Sequence, residues 1–126
     1  MSSRFDHIDL RVRNLAEVRP FYERLLPALG FTREVSIPGW LTYEVEDSDG
    51  ATEFFGVTES SSHVANECRV ALWVDSREEV DRLAAIVRQA GASNIKGPLC
   101  EDPQYYAVFF EDPSGNRLEI CHRENR

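Results

Sequence analysis

Glu119 stands alone as a carboxylate between Leu118 and Ile120. In an extended segment alternate side chains point to opposite faces, so the two apolar neighbours face one way and the acid the other. An acid in that setting lies either on a solvated face or in a site, where a carboxylate can hold a cation or a proton. It follows Glu111-Asp112-Pro113-Ser114-Gly115-Asn116. Pro113 and Gly115 punctuate a tight turn there, and Asp112, Ser114 and Asn116 can bond the turn's own backbone. His7 has a comparable setting at the other end of the chain. Ile8, Leu10 and Val12 alternate with His7, Asp9 and Arg11, which is the pattern of a half-buried strand with one polar face. The three cysteines, Cys68, Cys100 and Cys121, are an odd number with no pair at metal-binding spacing. They read as reduced thiols. Cys121 shares the face of Glu119 but has no partner motif, so it reads as an inert small residue.

The elements that must position these residues can be read in order. Asn14 offers a helix cap, followed by Leu15, Val18, Phe21, Tyr22, Leu25 and Leu29 at helical spacing. Pro20 and Pro27 should give an irregular first turn and a break before Gly30. Strands are predicted over 31–37, 40–46 and 52–58, with turns at Pro38-Gly39 and Asp47-Ser48-Asp49-Gly50. Residues 59–66 have no period and read as a linker. A strand then resumes at Arg69-Val70-Ala71-Leu72-Trp73-Val74. Ser76 and Glu79 form a capping box, Val80, Leu83, Ala84 and Val87 a helical stripe, and Gly91 the stop. Further strands fall near 94–96, 105–111 and 116–122.

The order strand, helix, three strands is thus written twice. Val12-Arg13-Asn14 with Glu17-Val18 is echoed by Val74-Asp75-Ser76 with Glu79-Val80, at an offset of 62. Glu46-Asp47-Ser48-Asp49-Gly50 is echoed by Glu111 to Gly115, at an offset of 65. Internal duplication of this kind fixes architecture. It also relates four positions: His7 plus 62 is Arg69, and Glu119 minus 65 is Phe54. All four should lie on the first and last strands of their halves, on the faces away from the helices.

With 126 residues, 42% hydrophobic and 29% charged, the chain fits one domain of two small modules, about 4–58 and 67–123 around the linker 59–66. The net charge of −8, with Lys96 the only lysine, disfavours nucleic acid and anionic membranes as partners. No apolar run approaches the length of a membrane span and no signal peptide is visible, so a cytoplasmic protein is expected.

Two βαβββ modules, a His in the first strand and an Asp-Pro-x-Gly-Asn-x-x-Glu ending resemble the vicinal oxygen chelate superfamily. That group includes glyoxalase I, bleomycin-resistance proteins, fosfomycin-resistance enzymes and extradiol dioxygenases. The resemblance covers about 5–122 and is carried most specifically by Phe21-Tyr22 with Leu29-Gly30-Phe31, and by Tyr105 through Glu119. It implies an α+β fold in which curved mixed sheets enclose a central cleft, a small-molecule ligand in that cleft, and a homodimer.

The resemblance also implies what the four positions do. In metal-binding members they hold a divalent ion, such as Zn, Ni, Fe or Mn, that chelates two substrate oxygens and acts as a Lewis acid. His7 and Glu119 match ligand positions, and would be the metal ligands or the acid/base groups. Arg69 stands where a second-module His is usual, and Phe54 where a Glu or a non-ligand can stand. Guanidinium has no acceptor and stays protonated, so Arg69 cannot ligate a metal and would instead pair with Glu119. A metal-free pocket is therefore the expectation. Trp73 shares the Arg69 face and is the best aromatic pocket candidate. Turn length decides between the tyrosines. Glu111 opposite Asn116 places Tyr106 and Val108 beside Glu119, and a one-residue change places Tyr105 and Phe109 there. Asp9, Arg11 and Arg117 share the faces of His7 and Glu119. Two function classes follow: a glyoxalase-like lyase or dioxygenase-like enzyme with an incomplete ligand set, or a metal-free protein that sequesters a small molecule, as the bleomycin-resistance group does.

Overall fold

The computed structural model describes residues 4–46 and 52–124. The acidic turn expected at 47–50 lies outside the described residues. The chain divides into two compact units, Met1–Val64 and Ala65–Arg126.

The first unit runs β1 (His7–Val12), α1 (Leu15–Ala28), β2 (Arg33–Ile37), β3 (Trp40–Glu46) and β4 (Thr52–Glu59). Its sheet has the order β1-β4-β3-β2. β1 runs parallel to β4, and the other pairs are antiparallel. Asn14 caps α1 by accepting a hydrogen bond from the Glu17 amide at 2.9 Å, which satisfies one of the orphan donors of the first turn. The irregular first turn expected from the prolines is absent: α1 is continuous, with Pro20 and Pro27 inside it. Pro20 and Ala16, four residues before it, are both exposed. The carbonyl that Pro20 leaves without a donor therefore faces water. Val18, Phe21, Tyr22, Leu25 and Leu26 pack beneath α1 with Leu41, Phe55 and Val57, all at most 1% exposed. A side chain of this size contributes about 1.5–3 kcal/mol when fully buried.

The second unit repeats the plan: β5 (Arg69–Trp73), α2 (Arg77–Ala90), β6 (Ser93–Asp102), β7 (Tyr105–Glu111) and β8 (Arg117–Arg123). The sheet order is β5-β8-β7-β6, with β5 parallel to β8. Ser76 caps α2 by accepting from the Glu79 amide, and Gly91 ends it at φ 106°, a left-handed conformation that favours glycine. Val80, Leu83, Ala84 and Val87 of α2 are buried, as are Val108, Phe110, Leu118 and Ile120 of the sheet. Those even-numbered strand residues form the helix-covered face, so the odd-numbered residues of β5, β7 and β8 form the face away from α2. Two βαβββ modules, each a mixed four-stranded sheet with one helix, are the architecture expected.

Candidate functional site

The turn between β7 and β8 decides which residues surround Glu119. Asp112, 1% exposed, accepts from the amides of Ser114 at 2.8 Å and Asn116 at 2.9 Å. The Asn116 side chain donates to its other oxygen at 3.1 Å, and Gly115 takes φ 90°. Asp112 thus pairs with Asn116 across the turn, and Glu111 lies opposite Arg117. That register puts Tyr105 and Phe109, not Tyr106 and Val108, on the face of Glu119. Tyr106, expected at the site in one of the two registers, instead points to α2. It donates to Asp81 at 2.6 Å and lies under the Arg77 guanidinium.

Rows of side chains can now be followed across the face away from α2. One row holds Arg69, Arg117 and Glu111; the next holds Ala71, Glu119, Phe109 and Lys96; a third holds Trp73, Cys121 and Ala107; a fourth holds Arg123 and Tyr105. Tyr105 and Glu119 are not direct partners. They lean toward each other along the sheet, and the small residues Ala107 and Cys121 between them leave room for this. The Tyr105 hydroxyl donates to Oε2 of Glu119. Glu119 is 5% exposed, and no described residue engages its Oε1.

Burial is the largest cause holding the Tyr105 hydroxyl well above its ordinary value of 10.0, and the hydrogen bond to Glu119 and that residue's charge push the same way. Cys121 adds to the shift, and Arg123 opposes it. The Arg123 guanidinium stacks 3.8 Å from the centre of the Tyr105 ring. Tyr105 is therefore a neutral donor across the working pH range, and the pair presents a carboxylate held firmly at one oxygen.

Arg69 does not pair with Glu119. Among the described residues no ion pair joins them; Arg69 lies over the Phe109 ring at 5.1 Å. Its assignment as the counterpart of His7 also needs correction. His7 lies opposite Phe54, whereas Glu119 lies opposite Ala71 and Arg69 lies opposite Arg117. His7 precedes its helix cap by seven residues and Ala71 precedes Ser76 by five. The second strand-to-helix connection is two residues shorter, so an offset counted back from the caps lands two residues early. A two-residue shift preserves the face and changes the row.

In the first unit, His7 is 58% exposed and its Nδ1 meets Oδ2 of Asp6 at 2.8 Å. Phe54 is half-buried beside it. Asp9 pairs with Arg11, and Arg11 also lies over Trp40. Trp73 in the second unit is 43% exposed. Its ring stacks on His122, with centroids 5.4 Å apart. His122 is fixed by donating from Nδ1 to the Val74 carbonyl at 2.9 Å, since a carbonyl can only accept.

Residues 4–120 match the family model of the Glyoxalase/Bleomycin resistance protein/Dioxygenase superfamily. The chain belongs to this superfamily. Among solved structures, a glyoxalase/bleomycin resistance protein from Albidiferax ferrireducens T118 is 25% identical, with a TM-score of 0.77 over 96% of this chain and 99% of that one. A glyoxalase/bleomycin resistance protein/dioxygenase family enzyme from Burkholderia phytofirmans PsJN is 20% identical, with a TM-score of 0.65 over 94% and 97%. The fosfomycin resistance protein FosX from Mesorhizobium loti is 17% identical, with a TM-score of 0.71 over 99% and 96%. The latter two likenesses show the fold alone. No curated protein matches the chain.

Superfamily membership raises the question of a divalent ion, and the donors that the second unit places around Glu119 do not by themselves make a site for one. Its flanking positions are Ala71 and Phe109, and the nearest polar partner is a protonated phenol. No group of three or more His, Cys, Asp or Glu side chains converges at metal-binding geometry among the described residues.

Proposed function

We propose that this protein binds a small molecule on the face of the second sheet away from α2, with Glu119 as the acceptor that anchors an N–H or O–H of the ligand. One observation carries this reading: a carboxylate 5% exposed has one oxygen held by Tyr105 and the other engaged by no described residue. Unlike the buried hydroxyls of Thr42 and Thr58, Oε1 stays open to solvent, and a ligand donor would take the place of water there. Phe109, directly opposite Glu119 on β7, supplies aromatic surface beside the anchor, whereas the Trp73 ring is turned onto His122. Tyr105 orients the carboxylate and stays protonated while doing so.

A catalytic reading uses the same atoms. Oε1 of Glu119 would take a proton from a bound substrate as general base, with Tyr105 holding Oε2 in place. It is favoured by the fixed orientation of the carboxylate, which sequestration alone does not need. A sequestering protein returns its ligand unchanged, so product analysis separates the two classes.

The test is a ligand-observed NMR screen of small metabolites bearing amine or hydroxyl donors, followed by affinity measurement on wild type, Glu119→Ala and His7→Ala. Glu119→Ala should weaken confirmed ligands about tenfold or more, the worth of a hydrogen bond to a charged acceptor. Equal affinity in a folded Glu119→Ala protein would overturn the proposal. The His7→Ala arm reports separately on the first unit.

A further inference from the structure

The acidic chain has 14 Lys and Arg residues. Four of them lie on the face of the second sheet that carries Glu119: Arg123 is at one end over Tyr105, and Arg69, Arg117 and Lys96 gather toward the other. Arg69 and Arg117 lie directly opposite each other on neighbouring strands, which run about 4.8 Å apart. Like charges in that position destabilise a sheet. Neither is relieved by an ion pair with a described carboxylate. Arg69 lies 5.1 Å and Lys96 5.8 Å from the centre of the same ring, Phe109, whose face attracts both cations. Glu111 is the acid opposite Arg117. Its carboxylate is drawn the other way, where Oε1 accepts from the Asn94 side chain at 2.9 Å. Glu119, two residues along β8 from Arg117, has Oε2 held by Tyr105 and forms no ion pair with either arginine among the described residues.

We infer that Arg69 and Arg117, with Lys96 beside them, bind a small oxyanion, a carboxylate or a phosphate. This rests on the reading of Glu119 as a ligand anchor and adds the class of ligand. The molecule carries an oxyanion at one end and an amine or hydroxyl donor at the other, one row of the sheet apart. Guanidinium presents paired N–H donors that match an oxyanion's geometry, and an anion between two opposed arginines converts their repulsion into attraction. Phe109, already ringed by cations, would form the floor between the two ends.

The experiment titrates inorganic phosphate, and in a parallel arm acetate, into 15N-labelled protein at ionic strength held constant with sodium chloride. Amide shifts of β5, β7 and β8 are followed. The expected result is saturable shifts centred on Arg69 and Arg117, weakened about tenfold in either Arg69→Gln or Arg117→Gln and further in the pair. Arg82→Gln, which alters a cation of α2 paired with Glu79, should change nothing. Glu119→Gln should tighten phosphate, because it removes a negative charge near Arg117. This arm moves in the gaining direction, so it holds even if the double arginine variant folds poorly. Tighter binding of phosphate than acetate, or the reverse, assigns which oxyanion the site prefers. Shifts that only track ionic strength, or that persist unchanged in both arginine variants, would overturn the inference. The two readings fail separately. Phosphate binding that needs Arg69 and Arg117, with ligands indifferent to Glu119→Ala, sinks the Glu119 anchor alone. Ligands that need Glu119, with phosphate indifferent to the arginines, sink the oxyanion site alone.

Discussion

Tyr105→Phe removes one oxygen and leaves the ring, its stacking under Arg123 and its place over Ala107 unchanged. What disappears is a single hydrogen bond to a carboxylate 5% exposed. Hydrogen bonds to charged groups contribute about 1.5–3 kcal/mol, and the loss here is toward the upper end because Glu119 has no other described partner to turn to. For 126 residues, an unfolding entropy of about 2.1 cal/mol/K per residue makes 1 kcal/mol worth about 4 °C in Tm, so the variant should melt about 6–11 °C lower. Urea denaturation should show a lower midpoint at unchanged slope, since the exposed surface is the same. The cycle with Glu119→Leu isolates the pair. In that background Tyr105→Phe should cost about 0.5 kcal/mol or less, because the phenol has lost its acceptor. A Tyr105→Phe protein within about 0.5 kcal/mol of wild type, or an equal cost in both backgrounds, would refute the assignment of Tyr105 as the group that holds Glu119.

Other consequences follow from the same geometry. The Tyr105 hydroxyl is raised in the folded state, so its contribution is fully present below the ordinary value of 10.0 and is lost as pH climbs through the raised folded value; alkaline urea titrations should show stability falling above about pH 10 in wild type and less steeply in Tyr105→Phe. Asp112→Ala removes the acceptor of two turn amides and the Asn116 side chain, and should cost about 2–4 kcal/mol by denaturation while accelerating amide exchange at the start of β8. Gly115→Ala forces a left-handed φ of 90° on a residue with a Cβ that would come 3.4 Å from that of Ala65; it should cost about 1–2 kcal/mol. Tyr106→Phe breaks an exposed hydrogen bond to Asp81 and should change stability by about 1 kcal/mol at most and ligand affinity not at all.

Much of the scaffold was legible because it is written in local chemistry. Asn14 and Ser76 cap the helices they were expected to cap, and Gly91 stops α2. The strands 40–46 and 105–111 occur with the expected bounds, since turn residues frame them. The long β6 was read as only a few residues, because Gly97 and Pro98 interrupt its pattern; the register shifts along β6 absorb them. Parity around Glu119 was not legible. It hinges on whether Glu111 faces Asn116 or Arg117, and that depends on the hydrogen bonds that Asp112 gathers inside the turn. The row of Arg69 was missed because the caps and hairpins repeat at different offsets, and a two-residue slip leaves the alternation of faces intact. The gathering of Lys96 with Arg69 and Arg117 had no local signal at all, because the three lie on three different strands.

The most direct test of the account is the affinity of a screened small-molecule ligand for wild type against Glu119→Ala, read together with the amide shifts the ligand induces. The account predicts shifts clustered at Ala71, Phe109, Arg117 and Glu119 in wild type, and a loss of about tenfold or more in the variant. Ligands that shift residues elsewhere and bind folded Glu119→Ala as tightly as wild type would contradict it.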